Sequence, residues 1–252
     1  MGQFYFAIIL YLLLGIFELE FPAQKNQKFS GRLKNLFFTL CLIFIGGVAT
    51  LGLYTLFHVI IPTEPRILQD HGIWFSLGLV FLYTLCTDLI FYWYHRAEHT
   101  FAQLWEIHEL HHSERNLNAT SSMRTFWLER PIQALLITIP INYIIGIDER
   151  AMVIFPTLLM VWLFFTHSNI KLNLKYLTPI ICGPQFHRIH HSILPEHQNK
   201  NFAQYFPFID YLFGTYYAPS QNEFPPTGIK ETPTDPSVGD VLVKPFISWF
   251  KK

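Results

Sequence analysis

Nine of the twelve histidines fall into four tight groups along the chain. His95 and His99 stand four apart in H-R-A-E-H. His108, His111 and His112 form H-E-L-H-H, His187, His190 and His191 form H-R-I-H-H, and His167 stands singly in T-H-S-N. Residues three or four apart on a helix share a face, so each group can aim two or three imidazoles at one point, which is how a protein grips a metal ion. A lone histidine reads as an ordinary packed or surface residue, and His58, His71 and His197, outside the pattern, keep that reading. Nine imidazoles exceed the four ligands that close a structural zinc site. They suit two ions of octahedral preference that share the set and keep open positions, which favours iron, and because imidazole also binds zinc well, zinc occupancy stays open.

Carboxylates are interleaved with these ligands. Asp88 lies seven residues before His95 on the same helical face, and Glu98, Glu106 and Glu109 sit among the histidines. They are expected to orient the imidazoles rather than to bind metal. An ionisable group such as Asp88 near the end of a membrane span is costly unless paired, which strengthens that expectation; for the three glutamates a solvated helix face is the competing reading.

The elements that must carry these groups are apolar. Hydrophobic residues make up 51% of the 252 and aromatic ones 17%, more than one soluble core of this size usually needs. Runs long enough to cross a hydrocarbon core of about 30 Å are read at 37–61, from Ile73 into the first histidine motif, at 132–147 and at 152–165, with a shorter run at 4–17 that spans or lies in the interface. Pro62 and Pro65 are expected to end the second run, and Asp148-Glu149-Arg150 to turn a tight hairpin between the last two. Lys25, Lys28, Arg32 and Lys34 fall between the first two runs, so that loop is expected in the cytoplasm, and counting spans from there delivers His95 and His167 to the same side. The expected fold is an all-α integral membrane protein with four or five transmembrane helices and a cytoplasmic histidine-rich helical cap. Its divisions are N-terminal membrane helices at 1–72, a catalytic region at 73–220 and an irregular C-terminal tail at 221–252.

Charged residues are only 14% and the formal net charge is zero, so no basic surface argues for a nucleic-acid partner. Cys41, Cys86 and Cys182 are widely spaced in apolar surroundings and read as packing residues, with no C-x-x-C pair. The N-terminus lacks the basic region of a signal peptide, so the first apolar run is expected to be retained.

The ordered set H-R-A-E-H, W-E-I-H-E-L-H-H-S, N-A-T-S, H-S-N, H-R-I-H-H-S, N-F and D-Y-L-F-G-T-Y, over residues 74–217, resembles the fatty acid hydroxylase superfamily of membrane di-iron enzymes, and its sterol desaturase branch most. The 2-hydroxylase branch typically carries a second histidine shortly after the position of His167, where this chain has Ser168-Asn169-Ile170-Lys171. The resemblance implies two iron ions held by the nine histidines, with Asn169 of H-S-N among the supporting residues. It also implies oxygen-dependent attack on an unactivated C–H bond of a lipid, giving an alcohol or an alkene. The chain has no haem domain, cysteine cluster or glycine-rich dinucleotide motif, so electrons are expected from a separate ferredoxin-type or cytochrome-type donor. Trp105, Phe126 and Trp127 are candidate walls for the substrate, with ordinary packing as the competing role. Arg115, Arg124 and Arg130 are candidates for lipid headgroups, with positive-inside bias as the alternative. The rival readings are a histidine-rich membrane protein that transports divalent metal, which would place its ligands at mid-depth in broken helices, and a structural zinc-binding membrane protein, whose metal would be redox-silent.

Overall fold

A computed structural model describes residues 2–60, 66–230 and 238–250, and among these it is all helical apart from isolated bridges. Helix α1 (Gly2–Glu20) leads to α2 (Phe29–Cys41), which passes through a π-helical turn (Leu42–Gly46) straight into α3 (Gly47–Ile60). Then come α4 (Ile73–Thr100) and α5 (Ala102–His112), followed by α6 (Glu129–Gln133) running through a second π turn (Ala134–Thr138) into α7 (Ile139–Ile144). Helix α8 (Glu149–His167) precedes three shorter elements, α9 (Pro184–His190), α10 (Phe208–Leu212) and α11 (Val238–Phe250).

Among the described residues three helices are long and apolar enough to cross a membrane: Phe29–Ile60, Ile73–Thr100 and Glu149–His167. Their outer faces carry large exposed apolar side chains such as Phe44, Leu51, Trp74 and Phe81, surface that only lipid or protein could cover cheaply. The expected run at 132–147 forms the shorter helix Glu129–Ile144, interrupted by its π turn, and is not among the three. The run at 4–17 is part of the longer α1. Arg32 and Lys34 lie on the first turns of α2 rather than in a loop. Pro62 and Pro65 fall outside the described residues. The tail expected to be irregular contains α11, whose Trp249 and Leu242 bond to Gln103 and Trp127. An amphipathic helix with Pro245 inside it had been hidden by that proline, which is tolerated here although it removes one ladder bond.

Helices α4 and α8 start side by side and run in the same direction. At their N-terminal end Asp148 caps α8 by accepting from the Ala151 N–H (2.7 Å) and also accepts from Ser76 Oγ on α4 (2.7 Å). The chain before α4 pairs with the turn before α8 through Ile147 N–H to Arg66 O and Leu68 N–H to Ile147 O. Gly146 is required there: its φ is +78°, and a Cβ would stand 2.9 Å from Arg66 O. From this shared base the two helices carry their last turns, and the histidines on them, to the opposite end. The α4–α7–α8 contact is filled by Leu79, Val80, Tyr83, Ile137, Ile141 and Ala151. At about 1.5 Å per residue the 28 residues of α4 reach about 42 Å, some 12 Å or about two turns more than a hydrocarbon core.

Candidate metal centre

The nine histidines of the four motifs converge into two groups. One holds His95, His99, His108, His112 and His190, the other His111, His167, His187 and His191, and within each group the ligating nitrogens lie within 4.8 Å of one another. Helices α4, α5, α8 and α9 each end at this place, so the rings are presented from the last two helical turns, or in the case of His191 from the residue that follows the helix. The i, i+4 pairs stay together, 108 with 112 and 187 with 191, while the intervening His111 and His190 each turn to the other group. Positions four apart differ by about 40° around the helix axis, whereas neighbours differ by about 100°.

Behind the rings, backbone carbonyls fix the tautomers. His95 Nδ1 donates to Phe202 O (2.8 Å), His167 Nδ1 to Leu163 O (2.8 Å) and His190 Nδ1 to Lys200 O (2.9 Å), which leaves each Nε2 lone pair aimed inward. There the Nε2 atoms follow one another at 3.1 Å from His95 to His108, His112 and His99, and at 3.0–3.1 Å from His111 to His167, His187 and His191. Bare lone pairs repel at that spacing unless a cation lies between them. Two ligands about 2.1 Å from an ion end about 3.0 Å apart when they meet at a right angle and about 3.4 Å apart in a tetrahedron, so the spacing fits ions of octahedral preference. The donor set therefore fits iron.

Electrostatics keep most of these rings in the metal-binding form. Burial first, and then the neighbouring rings, hold His111, His112, His187, His190 and His191 below the ordinary value, His190 at about 3. His108 differs: burial lowers it, but the carboxylates of Glu98 and Glu129 more than offset this and raise it. Its Nδ1 lies 3.5 Å from Glu98 and 3.7 Å from Glu129, both buried. Glu98 thus lies behind the ring of His108. Glu129 was missed, because it lies seventeen residues beyond the last histidine of its motif and only the fold returns it.

Other expected supports act elsewhere. Asp88 touches no histidine: fully buried, it accepts the backbone N–H groups of Gln204 (2.7 Å), Tyr205 (3.0 Å) and Phe206 (2.7 Å). Asp210 does the same for Phe202 (2.7 Å) and Ala203 (2.9 Å), so two buried carboxylates pin the segment whose Phe202 carbonyl holds His95. Glu106 joins none of the histidine groups and Glu109 pairs with Lys244 of α11, since on α5 positions 106 and 109 turn away from the face of 108 and 112. Asn169 ties the segment after α8 to Gln24 rather than to a ligand, accepting from its N–H (2.9 Å). Glu18, directly after the apolar run at 4–17, is buried and accepts from the N–H groups of Ala119 and Asn169 (2.8 Å each) while paired with Arg32 (2.6 Å). His197 is a packed residue bonded to Ser192 and Glu223, as its isolation in the sequence implies.

Among the described residues, two openings reach the histidines. An apolar cavity of about 130 Å³ runs between α4, α7 and α8, with His95, His108, His111, His167 and His187 at one end and Tyr83 and Phe155 at the other. Twelve residues separate Tyr83 from His95 and Phe155 from His167, a length of about 18 Å. Ile137, Ile141, Leu159 and Leu163 line it. A wider, more polar opening of about 540 Å³ meets His99, His112 and His190 from the other side, beside Trp105 and Lys230. Trp105, whose ring lies 5.2 Å from that of His99, therefore borders this second opening and not the apolar cavity. Phe126 and Trp127 pack against Phe246 of α11, so none of the three aromatic candidates lines the apolar cavity.

Comparison with known proteins gives a match to the fatty acid hydroxylase family over residues 80–215. Similar proteins include an alkylglycerol monooxygenase of Danio rerio, 29% identical over 57% of this chain and 31% of that protein. Its Homo sapiens counterpart is 29% identical over 54% of this chain and 30% of that protein. A delta(7)-sterol 5(6)-desaturase of Gibberella zeae is 28% identical over 60% of this chain and 41% of that protein. The matches thus cover less than half the length of these relatives. No solved structure matches the chain.

Proposed function

The chain belongs to the fatty acid hydroxylase family, and on that footing we propose that it is a membrane-bound di-iron oxidoreductase that uses dioxygen and external electrons to oxidise a C–H bond of a lipid. The observation that carries this reading is the meeting of nine imidazoles, in groups of five and four, at the end of an apolar cavity about 18 Å long. Relatives named as a monooxygenase and as a desaturase both match, and insertion of oxygen and removal of two hydrogens begin with the same hydrogen abstraction. In the proposed arrangement His95, His99, His108, His112 and His190 hold one ion and His111, His167, His187 and His191 the other. Bound iron would supply the one-electron chemistry that activates dioxygen and removes hydrogen from an unactivated carbon.

The chain's own residues then have distinct tasks. The carbonyls of Phe202, Leu163 and Lys200 hold three rings in the ligand tautomer, and the carboxylates of Glu98 and Glu129 favour a proton on His108 Nδ1, leaving its Nε2 for metal. Ile137, Ile141, Leu159 and Leu163 exclude water around a hydrocarbon chain and direct it at the histidines. We place the metal centre on the cytoplasmic side of a multi-pass membrane protein of four or five spans, with α5, α9, α10 and α11 as its cap, because Lys25, Lys28, Arg32 and Lys34 flank the same end of the bundle. Electrons from a ferredoxin-type or cytochrome-type donor would arrive from the cap, where His99, His112 and His190 lie nearest to the wider opening. The rigid carbonyl ties behind the rings favour a resident ion over the transport reading, in which ligands must release their cargo.

The test is expression with a redox partner and comparative lipid mass spectrometry of the wild type and His111→Ala, alongside iron analysis of the purified protein. Two irons per chain are expected, together with a wild-type-specific lipid that has gained one oxygen or lost two hydrogens. Identical lipids in both strains, or a purified protein loaded only with zinc, would refute the proposal.

A further inference from the structure

Three arginines are candidates for lipid headgroups, and their surroundings separate them. Arg124 is buried in the protein, donating to Asn35 Oδ1 (3.1 Å) and Ser113 Oγ (3.0 Å) with Glu114 at 3.7 Å. Arg115 lies on the cap against Gly228 and Ile229. Arg130 stands at the start of α6, and its side chain borders two spaces at once: the apolar cavity that leads to the histidines, and a groove of about 480 Å³ on the outside of the bundle.

That outer groove is formed by Leu42, Ile43, Gly46, Leu51 and Tyr54 of the α2–α3 helix together with Met123. The π turn Leu42–Gly46 lies along it, and the second π turn, Ala134–Thr138, begins one helical turn after Arg130, with Ile137 and Thr138 in the cavity wall. Such turns break the regular ladder and widen a helix locally. Gly46 lets the two segments meet, since a Cβ there would stand 2.9 Å from Trp127 O. The Arg130 guanidinium between the two spaces has neutral, long hydrogen bonds, to Gln133 Oε1 and Met123 Sδ (3.4 Å each), and among the described residues no carboxylate forms an ion pair with it. The neighbouring Glu129 turns instead to Gln133 and His108. Glu129 therefore attracts the guanidinium only at longer range, its planar fork is left without a contact ion pair, and that fork suits two oxygens of one anionic group.

We propose that Arg130 is the headgroup-binding residue of a lateral lipid entrance, and that the substrate is accordingly an acidic lipid, with phosphate or carboxylate oxygens on Arg130 and its hydrocarbon chain in the cavity beyond. A neutral hydroxyl, as on a sterol, would leave the fork without an ion pair in contact. This rests on the reading of the apolar cavity as the substrate chamber, but binding tests it without any turnover.

The experiment is native mass spectrometry of the purified full-length protein titrated with oleoyl lysophosphatidic acid, oleic acid and monooleoylglycerol, for the wild type, Arg130→Gln, Arg130→Lys and the cap variant Arg115→Gln. The wild type is expected to bind the acidic lipids at least about tenfold more tightly than the neutral one, the worth of one charge-assisted hydrogen-bonded contact. Arg130→Gln should lose that preference while binding monooleoylglycerol as before, and Arg115→Gln should keep it. Should Arg130→Gln fail to fold, Arg130→Lys serves, because a point charge without the fork should still reduce the preference. A wild type without preference, an Arg130 variant that retains it in full, or an equal loss in Arg115→Gln overturns the proposal. Preference without oxidation of any lipid would sink the oxidase reading alone. Oxidation of neutral lipids at equal rates in wild type and Arg130→Gln would sink the headgroup site alone.

Discussion

Replacing Asp88 by asparagine tests whether the metal centre depends on a carboxylate that touches none of its ligands. The Asp88 carboxylate takes three backbone N–H groups, one on Oδ1 and two on Oδ2, in a site with no solvent access. Asparagine has one acceptor oxygen. In its best orientation that oxygen keeps Tyr205 and Phe206, and the amide NH₂ then faces the N–H of Gln204, donor against donor. One charge-assisted bond is lost and one buried N–H is left unpaired, a cost of about 2–3 kcal/mol. For a chain of this size that corresponds to a fall in Tm of about 4–12 °C. Because Phe202, which holds His95 through its carbonyl, lies two residues before the released segment, iron in the five-histidine group should also bind more weakly. Thermal unfolding in detergent and iron per chain after dialysis measure the two effects together. If Asp88→Asn kept both the wild-type Tm and the wild-type iron content, the clamp would have no role and the reasoning would fail; a loss of iron at unchanged Tm would instead point to a direct contact with the metal centre.

Two further outcomes follow from the same geometry. Leu159 lies on α8 eight residues before His167, about 12 Å along the cavity, so Leu159→Trp should block long chains before short ones while leaving bound iron unchanged; equal turnover of long and short chains, compared by lipid mass spectrometry, would show that the cavity is not the substrate chamber. Acid should weaken the protein in a definite window. His111, His112, His187, His190 and His191 are held below the ordinary value of about 6.5, so below that pH the unfolded chain binds more protons than the folded one, and stability and iron retention both fall as pH drops from 6.5 toward the value of about 3 held by His190. His108, raised by Glu98 and Glu129, opposes this by one group only. A Tm that stays flat between pH 7 and pH 5 would contradict this sign.

The sequence made the histidine clusters legible because their signal is local. H-x-x-H-H and H-x-x-x-H put rings on one helical face whatever the rest of the fold does, and all nine histidines it marks lie in the two groups. Long apolar runs likewise announce helices, since their length and hydropathy need no partner to be read. Boundaries were less secure: the helix in the tail, the π-interrupted arm Glu129–Ile144 and the start of α2 at Phe29 each depend on packing against neighbours that the local pattern does not contain.

What the tertiary structure alone decided is the division of labour around that set. Glu18 and Glu129 entered the site region from far along the chain, Asp88 turned to a backbone segment more than a hundred residues away, and Arg130 rather than Arg124 or Arg115 came to border the cavity. The split of H-E-L-H-H and H-R-I-H-H between the two groups is of the same kind. Helical spacing sets the angle of about 100° between adjacent rings, but which group each ring joins depends on where α4, α8 and α9 stand around α5, and that is fixed by long-range packing, to which a local stretch of residues is blind.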